Sequence, residues 1–227
     1  MSYNIVEPGK IETDGISSFV SQFKLTDSKE FTKHCISKCY YFHPDDVLSY
    51  WEKLKTEKGP HSIRYSKKIY ADRDRKEEIE IINDYPFLFG KKLKVRADKD
   101  GNKNVRDLFK SITGKSVSYG KTSGLRNYTL AHIWGRTNNP FTFLGLWNIS
   151  LVPTYIASLT DKSRGREGEI YSEFQRIFKA VAWCLYSDKI DEMKEILQSE
   201  IPDKKDIKVA KQLIKDSVVK VIKSKSS

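Results

Sequence analysis

The sequence predicts an α+β fold, a mainly helical unit built around a small strand-loop-strand-helix core. Three observations lead there. Residues 125–162 (LRNYTLAHIWGRTNNPFTFLGLWNISLVPTYIASLTDK) hold two apolar runs of strand character, separated by a loop and followed by a short helix signal. On both sides of that segment apolar residues recur three and four positions apart, the period of helices that bury one face. The 227 residues, 12% of them aromatic, suffice for one well-cored domain, and so many bulky side chains argue against disorder.

The elements follow in order. Residues 1–14, broken at Pro8-Gly9, form a lead-in. Thr26-Asp27-Ser28 supplies an N-cap for a helix over KEFTKHCISKCYYF. His43-Pro44-Asp45-Asp46 opens the next helix, with proline suited to its first turn and the aspartates to the positive end of its dipole. Val47, Leu48, Trp51 and Leu54 share its inner face, and Gly59-Pro60 stops it. Residues 62–71 alternate as a strand, and 72–83, with Ile79 and Ile82 three apart, read as a short helix. A strand within YPFLFGKKLKVRAD leads to a turn at Asp100-Gly101. A helix over 104–112 ends at Gly114, and a glycine- and serine-rich loop leads into the central segment.

In that segment the first strand ends near His132, the only histidine after residue 61. Asn138-Asn139-Pro140 marks a turn in the loop. The second strand, 146–152, carries Asn148 near its start, and Pro153 opens a helix over 154–159 that closes at Asp161-Lys162. Further on, Ile170, Phe174, Ile177, Phe178, Val181 and Leu185 trace a long amphipathic helix, followed by a shorter one over 190–197. Pro202 breaks the chain, and Asp203 caps a last helix whose apolar stripe runs Ile207, Ala210, Ile214, Val218, Val221. The expected division is a mixed N-terminal region over 1–115 that contacts nucleic acid, the central motif over 116–165, and a basic helical region over 166–227, joined in one compact unit.

Charge narrows the function. Forty-one basic against 30 acidic residues leave a formal +11, a field that attracts polyanions, and DNA is the expected partner. From residue 203 onward eight lysines face three aspartates, which makes the last helix a basic face. Three cysteines fit a reducing, cytoplasmic setting better than a disulfide framework, and no apolar run is long enough to predict a membrane span.

The segments LAHIWG and LWNISLVP…LTDK resemble the motif of HNH (ββα-metal) endonucleases, in which a first-strand histidine is followed by a second-strand asparagine and a helix residue. The resemblance spans about 38 residues of the chain. It implies a ββα-metal core and hydrolysis of DNA phosphodiesters with Mg²⁺ or Mn²⁺, in the manner of a restriction or defence nuclease. His132 would be the general base, a task suited to neutral imidazole. Asn148, sixteen residues later (148 − 132 = 16), would brace the histidine-bearing loop or touch the metal, and Asp161 would be the helix-side metal ligand. Arg126, Arg136, Lys162, Arg164 and Arg166 flank the motif and are expected to hold phosphates. A homodimer would suit a cutter of palindromic sites.

Two positions depart from the family pattern: Ala131 precedes the histidine where an acidic or histidine ligand is common, and the usual last ligand falls near Ala157 and Ser158. They favour a second reading, a nucleic-acid-binding protein that retains the fold element without catalysis. A third is a protein-interaction domain with an aromatic surface. Trp134 and Trp147 are expected in the core. Residues 114–122 resemble a phosphate-binding loop but have five residues between the glycines rather than four. His34, Cys35, Cys39 and His43 sit too much on one helix to close a zinc shell, and 98–102 lacks the spacing of a calcium loop.

Overall fold

The computed structural model describes residues 28–56, 58–64, 78–82, 87, 90–98, 100, 102–117, 125–160 and 169–224. Among these the chain is α+β, with eight α-helices and two small sheets. Helix α1 (Ser28–Lys38) leads into strand β1 (Tyr40–Phe42), and α2 (Pro44–Leu54) follows at once. Strands β2 (Ser62–Arg64), β3 (Glu78–Ile82) and β4 (Lys92–Asp98) precede helix α3 (Lys103–Thr113). The central segment forms β5 (Tyr128–His132), a short α4 (Pro140–Phe143), a 3-10 turn (Leu146–Asn148), β6 (Ile149–Pro153) and α5 (Thr154–Thr160). Helices α6 (Glu169–Tyr186), α7 (Met193–Leu197) and α8 (Lys204–Lys215) and strand β7 (Lys220–Ile222) complete the fold.

The first sheet has the order β5-β6-β1-β7, so it draws on the N-terminal, central and C-terminal segments alike. β5 and β6 run antiparallel with His132 opposite Ile149 and Tyr128 opposite Pro153. β1 sits inside the sheet, antiparallel to β6 and parallel to β7. The second sheet, β2-β4-β3, pairs β2 parallel and β3 antiparallel to β4. Strand β6 is buried along its whole length, between β5 and β1 in the sheet and against α5, while α2 and α6 pack on the 3-10 turn that leads into it. Trp134, Trp147, Phe141, Phe143, Phe174 and Phe178 fill the space between them, fully enclosed. Both tryptophans of the central segment are therefore core residues.

Several local signals act as read. Asn139 accepts hydrogen bonds from the Phe141 and Thr142 N–H groups and starts α4, Asp203 caps α8 through the Asp206 N–H, and Gly114 ends α3 at φ 67°. Gly145 is needed for space, since a Cβ there would lie 2.3 Å from the Phe141 carbonyl.

Four element readings are corrected. The helix expected over KEFTKHCISKCYYF stops at Lys38, and Tyr40–Phe42 is a strand. Within 72–83, residues 78–82 form a strand, because Ile79 and Ile81 pair opposite Val95 and Leu93 across β3 and β4. Asn148 lies in the 3-10 turn before β6, and Pro153 ends that strand instead of opening the helix. The last helix ends at Lys215, followed by Ser217 in the left-handed region at φ 57°, which frees Val221 to join β7. No described helix is long and apolar enough to cross a membrane.

Candidate functional site

The loop from Ile133 to Trp147 leaves β5 and returns as β6, and Asn148 holds it together. Asn148 is wholly buried. Its Oδ1 accepts the Trp134 N–H at 2.7 Å, and its Nδ2 donates to the carbonyls of Gly135 at 3.0 Å and Thr142 at 2.9 Å. One side chain thus satisfies three backbone groups of the loop, two of them in the interior. Its own carbonyl accepts the Ile133 N–H at 2.8 Å, extending the β5–β6 ladder by one bond.

His132 ends β5 at the foot of this loop. Its ring stacks on Phe143 with centroids 5.3 Å apart, and Nε2 lies 2.9 Å from the Phe143 carbonyl. A carbonyl only accepts, so Nε2 carries the proton and Nδ1 holds the lone pair of the neutral ring. The side chain is 8% exposed. Burial, with a smaller contribution from the nearby Arg64 charge, pushes its pKa down to about 4.

That shift makes a prediction about stability. The folded pKa lies below the ordinary 6.5, so on acidification the unfolded chain takes the proton first. The stabilisation is complete above about pH 6.5 and is lost between there and pH 4, amounting to about 3 kcal/mol. His61, also lowered by burial, adds in the same direction. Urea unfolding at pH 7 and pH 4.5 should show the drop, and His132→Gln should reduce it.

A cleft of about 430 Å³ opens beside His132 between β5, α5 and α6, with Arg64 and Asn102 on its far wall. Thr154, Ala157 and Thr160 face it from α5, and Gln175 and Lys179 from α6. No carboxylate is among the described residues that line it. Nor do the described residues contain a group of three histidine, cysteine or acidic side chains placed to hold a metal ion. With Ala131 beside the histidine, Ala157 on the helix and the Asn148 amide engaged at both ends, the described donors do not fit a divalent cation.

The other expected residues divide. Asp161, Lys162, Arg164 and Arg166 lie outside the described residues. Arg126 is exposed beside β5. Arg136 is tied to the 197–200 turn: Nη2 meets Glu200 Oε1 at 3.1 Å, and Nη1 donates to the Ile196 carbonyl. It fastens the loop to the C-terminal helices. Two residues of the cleft were not foreseen, Arg64 and Lys179. Arg64 comes from a three-residue strand whose partner β4 lies some thirty residues further on, so nothing local marks it.

Taken together, the described residues make an α+β protein in which the cleft beside His132 carries Arg64 and Lys179 and is framed by a braced strand-loop-strand-helix element. The chain belongs to the family described as Uncharacterised protein PM1201, whose model matches residues 42–226. It is 29% identical over 189 residues to the Uncharacterized protein PM1201 of Pasteurella multocida (strain Pm70), covering 82% of this chain and 80% of that protein. No solved structure matches it. The matched span holds every element from the end of β1 onward, including Arg64, His132 and Asn148.

Proposed function

We propose that the chain is an HNH-type endonuclease that hydrolyses DNA phosphodiesters in the cleft beside His132. The observation that carries this reading is the Asn148 brace: the asparagine sixteen residues after the histidine bonds both ends of the intervening loop, and α5 follows directly on β6. His132 would accept the proton of the attacking water at Nδ1, with Nε2 held on the Phe143 carbonyl so that the ring keeps one orientation. Its depressed pKa keeps it deprotonated at neutral pH, and a phosphate entering the cleft would raise its basicity by placing negative charge beside it.

Substrate would be gathered by the basic surface. Lys204, Lys208, Lys211 and Lys215 lie at helical offsets that place them within an arc of about 60° on α8. Replacing all four with glutamine should reduce the slope of log K against log salt for a DNA duplex by about 3 to 4, read by fluorescence anisotropy.

The test of the activity is nicking of supercoiled plasmid by the purified chain with Mg²⁺, Mn²⁺ or EDTA. Cation-dependent nicking supports the nuclease, with Asp161 as the first ligand to replace. DNA binding without nicking under any of these conditions would support the second reading, a binding protein, which the burial of His132 and Ala131 beside it favour.

A further inference from the structure

Arg64 is a half-buried cation to which no described carboxylate supplies a counter-charge. Its backbone N–H donates to the Thr137 carbonyl at 2.8 Å, which locks the residue to the histidine-bearing loop. Nη2 donates to Asn102 Oδ1 at 2.6 Å, and Asn102 is itself held by a bond from Nδ2 to the Leu130 carbonyl at 3.2 Å. Nε is buried with no hydrogen-bond partner. The other cation among the described residues that line the cleft, Lys179, already meets Glu200 at 3.4 Å. A guanidinium taken partly out of water is ordinarily paired with a carboxylate, since removing its charge from water is costly. One ordered water could complete the hydrogen bond of Nε but would leave the charge unbalanced.

We propose that this cleft is a phosphate-binding site in which Arg64 supplies the counter-charge and a preformed fork of donors. The guanidinium presents donors in one plane at the spacing of two phosphate oxygens, which an ammonium cannot match. Asn102 fixes the plane of the fork from one side, and Arg64 lines the cleft. The volume of about 430 Å³ admits a nucleotide-sized group and is too small for a duplex, so a strand would present a single backbone phosphate. The natural occupant, a phosphodiester of DNA, rests on the nuclease reading above; the preference for an anion rests on the cleft alone.

The test is thermal unfolding of the full chain with inorganic phosphate, with a dithymidine dinucleotide and with sodium chloride at matched ionic strength, for wild type, Arg64→Met and Arg64→Lys. Phosphate or the dinucleotide should raise the melting temperature in a saturable way that chloride does not reproduce. Arg64→Met should weaken that binding at least tenfold while keeping a cooperative unfolding transition without ligand. Arg64→Lys should fall between, keeping the charge and losing the fork. A response to the dinucleotide beyond that to inorganic phosphate identifies the diester as the occupant, and an equal response points to free phosphate. The proposal is overturned if wild type responds to neither probe, or if Arg64→Met keeps the full response. Absence of plasmid nicking with the phosphate response intact would remove the nuclease reading and leave this site standing.

Discussion

His132→Ala is expected to lower metal-dependent plasmid nicking by about 10²- to 10⁴-fold, the usual contribution of a positioned general base, with DNA affinity unchanged. The affinity should persist because, on the proposed reading, the lysines of α8 would hold phosphates away from the cleft, and because a neutral ring contributes no charge to hold them. The variant also removes the ring stacked on Phe143 and leaves that carbonyl without its 2.9 Å donor, so part of any loss could come from a loosened loop. His132→Gln separates the two effects. Glutamine can donate to the Phe143 carbonyl, yet its amide does not accept a proton at neutral pH. A glutamine variant as stable as wild type and as inactive as the alanine variant assigns His132 to the chemistry. If both variants keep wild-type nicking, the proton goes elsewhere and the nuclease reading of this cleft is wrong.

How much of this could be read from the residues depends on how local each signal is. The β5-loop-β6-α5 succession was legible because its strands are apolar runs, its loop begins with a glycine and holds Asn139-Pro140, and its helix is short and bounded. Asn148 was legible only through the resemblance to the HNH motif, and its place in a 3-10 turn was not legible, since that conformation follows from the bond between its N–H and the Gly145 carbonyl. What failed was decided by distant partners. EIEII at 78–82 fits a helix face through Ile79 and Ile82 and a strand face through Ile79 and Ile81, and only the register with β4 chooses. Tyr40–Phe42 and Lys220–Ile222 stabilise each other as a parallel pair although nearly the whole chain separates them. Arg136 looked like a free loop cation, but its carboxylate partner is Glu200, 64 residues away. Arg64 carried no local mark at all, and its importance emerges only once β2, α3 and the loop converge.

Asn148→Ala is expected to cost about 3 to 5 kcal/mol, a large share of the total for a domain of this size. Three backbone groups lose their partner at once: the buried Trp134 N–H and Thr142 carbonyl, and the half-buried Gly135 carbonyl. Water replaces a side chain poorly here, because Trp134, Trp147 and Phe141 close around the site. Asn148→Asp tests the same account by sign. It keeps an acceptor for the Trp134 N–H but turns oxygen toward the Gly135 and Thr142 carbonyls, where the amide donated, and buries a charge where a neutral amide stood. Aspartate should therefore destabilise at least as much as alanine despite being closer in shape. Urea unfolding of the three proteins at pH 7 measures the order directly. The effect should also reach the cleft, because the loop carries the Phe143 carbonyl that orients His132; a folded Asn148 variant at low temperature should nick plasmid more slowly while binding DNA normally. Wild-type stability in both variants would mean that the loop holds itself through Thr142 Oγ1 and its bonds to the Arg136 and Asn139 carbonyls.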